Sequence, residues 1–329
     1  MRRFLACCSL VFCCAVRPAM AWNSTGHSSV ALIAYDQLSP EDKKIITDAL
    51  KHHPRAEKDL MGNADVGDDR DQDLVMVAAT WPDMIRPPLN RGIGNPMSFA
   101  ENHPTWHYVD FPFDPSGKSH PAPVGQWDGK SDPANLLQAM QKVTGEVVDP
   151  KTSAARRAMD ICWIMHLTGD IHQPLHAASL FNNDYPDGDR GGNSILVWVG
   201  GESSVLHSVW DDLEGLNTRL IDIREIADRL EKAHPPSEFT QQVTNMNVKD
   251  WAMESFELAK AKVYVNGQIP GVSSEAAKNH TDVIPVLSAQ YMADAHEVAD
   301  VRIALGGYRL AAVLHDLAGK LAALPPTSP

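Results

Sequence analysis

The sequence predicts a mainly α fold: a single compact multi-helix domain carrying one small β-hairpin. Apolar residues recur at three- and four-residue spacing in segment after segment, the period at which side chains share one face of a helix. Several of these segments open on residues that cap helices. The one strong strand signal is Ser194-Ile-Leu-Val-Trp-Val199, followed by Gly200-Gly201 and Ser203-Ser-Val-Leu206, a hairpin pattern.

Met1-Arg2-Arg3, the apolar run Phe4 to Val16 and Ala19-Met20-Ala21 have the layout of a signal peptide over residues 1–21, with cleavage after Ala21. The run is shorter than the about 20 residues that span a bilayer, and no later stretch reads as a membrane anchor. The product is therefore expected to be exported, to a periplasm or the medium, as a soluble domain over 22–323 with a flexible tail at 324–329.

Ser24 or Thr25 can cap a first helix running to about Leu38, and Ser39-Pro40-Glu41-Asp42 has the cap, proline and acidic first turn of a second. Further helices are expected near 68–84, 133–148, 154–172, 218–232, 236–244, 248–263 and 284–320. Two proline-rich stretches, Pro87 to Pro104 and Phe111 to Pro133, read as surface loops.

The formal charge is −13, and losing Arg2, Arg3 and Arg17 with the leader takes it to roughly −16. A surface of that sign repels phosphate, so a phosphate-bearing substrate has to be drawn by bound cations rather than by a basic face. Cys7, Cys8, Cys13 and Cys14 leave with the leader, so no disulfide forms within the mature chain, and Cys162 in its apolar segment reads as a packed thiol. Asp65, Asp68, Asp69, Asp71 and Asp73 lack the ligand spacing of a calcium loop and read as a solvated face. Asn23 and Asn279 head glycosylation sequons that matter only in a eukaryotic host.

Chemistry concentrates in His166-Leu-Thr-Gly-Asp170-Ile-His172-Gln-Pro-Leu-His176 and in His207-Ser-Val-Trp-Asp211. Residues four apart on a helix lie one above the other, so His166 with Asp170, and His207 with Asp211, can each aim a nitrogen and an oxygen at one cation. Either pair alone is more often a helix-surface contact; together they argue for a multi-metal site. Pro174 ends the His166 helix, or nearly so, which would turn His176 away from His166. His172, between those ligands, reads as a supporting or surface histidine. Imidazoles and carboxylates without thiolates suit catalytic zinc. Trp22 becomes the new N-terminus, whose amine and carbonyl can chelate, with His27 near the start of the first helix.

With Trp81-Pro82-Asp83, Arg86 and Trp106-His107-Tyr108-Val109-Asp110 added, the chain resembles the zinc-dependent S1/P1 nuclease family, single-strand-specific nucleases and 3′-nucleotidases with a phospholipase C-like fold. The motifs run in the family's order from Trp22 to Asp211; the C-terminal third matches only in helical character. The resemblance implies three zinc ions per chain. Asp83, His107, His166 and Asp170 would hold the first. Asp170 would bridge to a second, held by the Trp22 amine and carbonyl and by His27. His176, His207 and Asp211 would hold the third.

The resemblance also implies that Asp110 orients the attacking water and engages Arg86, although an Asp110–Arg86 pair could be structural. The implied reaction cleaves the P–O3′ bond of single-stranded DNA, RNA and 3′-nucleotides, giving 5′-phosphorylated products. Tyr108 can stack a base or serve as a plain core aromatic. Asp212 stands where the family commonly has a base-contacting Asn. Asp187 to Asn193 resembles a family Gly-Asp-x-Gly-Gly-Asn with Arg190 in the variable slot, and also reads as a glycine-rich turn. The rivals are a zinc-dependent phospholipase C, whose third site ends in Glu where Asp211 stands, and a non-catalytic exported zinc-binding protein.

Overall fold

The computed structural model describes residues 22–62, 69–87, 100–123, 125–217, 219–278 and 283–325. The expected leader, residues 88–99 of the first proline-rich stretch, Asp65, Asp68, Asn279 and residues 326–329 lie outside them. Helices dominate: α1 (Ser24–Gln37), α2 (Pro40–Leu50), α3 (Arg70–Ala78), α4 (Trp81–Met84), α5 (Leu136–Val148), α6 (Ala154–Asp170), α7 (Leu206–Asp211), α8 (Leu220–Ala233), α9 (Thr240–Thr244), α10 (Val248–Leu258), α11 (Ser274–Lys278) and α12 (Ala289–Ala322). The strands are β1 (Phe111–Phe113), β2 (Ala178–Leu180), β3 (Ile195–Val199), β4 (Glu202–Val205) and β5 (Val272–Ser273). The chain is mainly α, as the periodicity predicts.

The first helix is capped one residue earlier than expected, by Asn23, whose side chain accepts from Gly26 N at 3.2 Å. A buried side chain engaged this way is a poor glycosylation acceptor. The second begins as predicted, with Ser39 accepting from Asp42 N and Pro40 at the first turn. Helix α1 is buried on all sides from Thr25 to Tyr35 and packs against α3, α6, α8 and α12, which explains why apolar and small residues surround its whole circumference. Gly307 permits the approach of α12: a Cβ there would lie 2.5 Å from Ile33 Cγ2.

The hairpin forms as read, β3 pairing antiparallel with β4 across Gly200 and Gly201, both at positive φ. Strand β5 extends it on the other edge. The Phe111 to Pro133 stretch is not all loop, because β1 pairs in parallel with β2, Phe111 opposite Ala178. The acidic cluster is also not wholly solvated. Asp69 caps α3, and Asp73 is buried against Arg224. Cys162 is buried, its thiol pushed up by burial, in keeping with a packed role. No helix among the described residues is long and apolar enough to cross a membrane.

Candidate metal centre

Helix α6 ends at Asp170, Ile171 caps it, and Pro174 opens a short 3-10 turn to His176. The chain thereby delivers two ligand types from the helix and one from beyond its end. The first turn of α1 brings His27, the α4 turn brings Asp83, and a 3-10 turn over Pro104–His107 brings His107.

The two oxygens of Asp170 serve different neighbours. Oδ1 lies 3.2 Å from His27 Nε2, while Oδ2 lies 3.1 Å from His107 Nδ1 and 3.4 Å from His166 Nε2. Asp83 Oδ1 lies 3.7 Å from His166 Nε2 and 4.0 Å from His107 Nδ1. The His27 and His166 rings stack with centroids 3.9 Å apart. A separate group forms where His176 Nε2 and His207 Nε2 stand 3.2 Å apart, with Asp211 Oδ2 3.5 Å from the latter.

Backbone carbonyls set the tautomers. His166 Nδ1 donates to Ala79 O at 2.8 Å, His176 Nδ1 to His107 O and His207 Nδ1 to Gly191 O. Carbonyls only accept, so each Nδ1 carries the proton and each Nε2 lone pair points inward. Burial lowers His27, His107, His166 and His176 well below the usual imidazole range and raises Asp170 and Asp211 well above the carboxylate range.

Converging lone pairs and buried carboxylates repel one another unless a cation stands between them. His27 Nε2, Asp83 Oδ1, Asp170 Oδ1 and Asp211 Oδ2 are buried without a hydrogen bond. The donor sets His27–His166–Asp170, Asp83–His107–His166 and His176–His207–Asp211, each with ligand atoms within 4.8 Å of one another, could each hold a metal ion. The residues present fit such ions.

Residues 22–319 match the family model described as S1/P1 Nuclease. The chain belongs to the S1/P1 nuclease family. It is similar to Nuclease S1 of Aspergillus oryzae (strain ATCC 42149 / RIB 40), 26% identical over 91% of this chain and 92% of that protein. It is also similar to Nuclease P1 of Penicillium citrinum, 23% identical over 91% of this chain and 98% of that protein. With Endonuclease 2 of Arabidopsis thaliana it shares 27% identity over 55% of this chain and 61% of that protein. Within the S1/P1 nuclease family the match thus reaches into the C-terminal third, beyond the motifs ending at Asp211. The chain is a nuclease.

The other expected residues fall around this centre. Trp22 is buried, and the adjacent Asn23 N donates to Asp211 O at 3.2 Å. Arg86 Nε lies 3.0 Å from Asp83 Oδ1. Asp110 occupies the left-handed region at φ 38°, an uncommon setting for a residue with a Cβ. Burial, then the Asp189 charge, pushes its carboxyl up to about 7 against Arg190. Tyr108 is 36% exposed. Asp212 is half-buried and accepts from Asn23 Nδ2 at 2.8 Å.

His172 is not at the surface. It is buried behind the centre, its Nδ1 donating to Thr168 O and its Nε2 accepting from Arg309. Sequence reasoning missed Gln173, whose Nε2 donates to Asp211 Oδ1 at 2.7 Å. It stands inside the quoted His-Gln-Pro-Leu-His motif, so position alone could have flagged it. The orienting carbonyls of Ala79, His107 and Gly191 carry no side-chain signal.

Proposed function

We propose that this nuclease is an exported, trinuclear-zinc endonuclease and 3′-nucleotidase that cleaves the P–O3′ bond of single-stranded DNA and RNA. The observation that carries the reading is the two-sided carboxylate of Asp170, aimed at His27 on one side and at His107 and His166 on the other. In this reading Asp83, His107, His166 and Asp170 hold one ion, and Asp170, His27 and the Trp22 amine and carbonyl a second. His176, His207 and Asp211 hold the third. Bound zinc would make a coordinated water acidic near neutral pH and offset charge on the phosphate and the leaving oxygen.

The chain's own groups do the rest. The carbonyl-anchored imidazoles keep their Nε2 lone pairs fixed, which preorganises the site before substrate arrives. Asp110, half-buried and held in a left-handed turn, orients the attacking water, and Arg86, anchored at Asp83, adds positive charge to the site. Tyr108 presents an aromatic face for a base, with Asp212 at the rim. The leader over 1–21 supports export to a periplasm or the medium.

Incubation with single-stranded DNA, RNA, 3′-AMP and phosphatidylcholine, each with and without chelator, tests this. Chelator-sensitive release of 5′-phosphorylated products and of phosphate from 3′-AMP is expected. Phosphocholine release would support a phospholipase, and inactivity on all four a binding protein. A metal count near one per chain would overturn the trinuclear assignment.

A further inference from the structure

The loop between β2 and β3 is held from inside by Asp189, which is fully buried. Its carboxylate accepts from Leu180 N at 2.7 Å, Gly191 N at 3.1 Å, Gly192 N at 2.8 Å and Tyr264 Oη–H at 2.9 Å. Two residues further on, the Gly191 carbonyl accepts from His207 Nδ1, so the loop is fixed directly against a metal-ligand candidate.

Arg190 sits between these anchors, exposed and at φ 61°, in the left-handed region. Glycine, asparagine or aspartate adopts that conformation at lower cost. A long cationic side chain in a strained position, beside a candidate site, points to a use for the side chain itself. No hydrogen bond or ion pair engages its guanidinium among the described residues, whereas Arg86 is turned to Asp83. Its backbone stands between buried Asp189 and the carbonyl bonded to His207, and its charge lies within electrostatic reach of Asp110. In a chain of formal charge −13, that makes it a local positive rim.

We propose that Arg190 binds a backbone phosphate of a polynucleotide adjacent to the scissile one, making it a residue that selects polymers over mononucleotides. The proposal rests on the nuclease reading of the site. Arg suits the task because its planar fork matches phosphate oxygens. Anchoring by Asp189 and Gly191 keeps the loop from swinging away, so that contact is held at a fixed offset from the metal groups.

The test compares kcat and KM on a short oligothymidylate and on 3′-AMP for wild type, Arg190→Ala, Arg190→Gly and Arg190→Lys. Arg190→Gly suits the left-handed backbone and guards against misfolding. Expected is a fall of about five- to tenfold in the oligonucleotide-to-mononucleotide ratio of kcat/KM for Ala and Gly, carried by KM, with partial rescue by Lys. The slope of log(kcat/KM) against log salt on the oligonucleotide should flatten by about 0.7, one phosphate contact on a single strand. An unchanged ratio, or an equal loss on both substrates, overturns the proposal. A wild type that hydrolyses neither substrate overturns the nuclease reading beneath it, a distinguishable result.

Discussion

His27 packs so tightly over Gly169 that a Cβ on the glycine would lie 2.6 Å from the imidazole Nδ1. The glycine of His-x-x-Gly-Asp is thus the floor on which a metal-ligand candidate rests, one residue from Asp170. Gly169→Ala should push the ring off its stacking position on His166. Expected are a loss of one metal equivalent in elemental analysis, a drop in activity of roughly 10- to 100-fold, and about 1–3 kcal/mol of destabilisation from overpacking. Full metal content in that variant would mean that the ring is free to shift.

Gln173 holds Asp211 through the 2.7 Å bond from Nε2, leaving Oδ2 to face His207. Gln173→Ala frees the carboxylate to rotate, so affinity at the His176–His207–Asp211 group should fall about 10- to 100-fold. Competition against a chromogenic chelator should show one weakened equivalent and two unchanged. Uniform weakening of all three would remove Gln173 from that specific role.

These two residues show where the sequence is legible. The pairs His166–Asp170 and His207–Asp211 could be read because helical periodicity alone sets them on one face, and Pro174 announced the turn that separates His176. Gln173 lies in the same motif, but its role depends on Asp211, a neighbour only after folding. The parallel pairing of Phe111 with Ala178 is three residues long and joins distant segments, so no local pattern betrays it. His172 looked like a supporting or surface histidine. It is buried because Arg302 and Arg309 of α12 arrive from far along the chain, Arg302 Nε donating to its carbonyl at 3.1 Å.

Asp160 gives the fold a pH response independent of the metal groups. It is buried on α6 with Arg156 Nη2 at 2.6 Å, and burial pushes its carboxyl up to about 7 despite that partner. In the unfolded chain it titrates near the ordinary value of about 4. Between those values the folded state binds more protons, so this group's contribution to stability falls as pH rises and is fully lost above about 7. Unfolding free energies from urea titrations should therefore shift in favour of Asp160→Asn, relative to wild type, by up to about 2–3 kcal/mol between about pH 5 and pH 8. A difference that does not vary with pH would show that Arg156 keeps Asp160 ionised throughout.

Metal removal should cost stability as well as activity. Stripped of cations, Asp170 Oδ1 and Asp211 Oδ2 face buried surroundings with no hydrogen-bond donor, and the groups must protonate or open. A ligand held at a thousand times its Kd adds about 4 kcal/mol to the folded state. At roughly 2–4 °C per kcal/mol for a large domain, chelation should lower Tm by about 8 °C or more. Zinc should restore it and calcium should not, because imidazole-rich sets favour the former. The pattern across variants is the sharper reading: Gly169→Ala should blunt the part of the shift owed to the Asp170 groups, and Gln173→Ala the part owed to Asp211. A chelated protein that melts with the untreated one would mean that these buried carboxylates are stabilised by something other than metal.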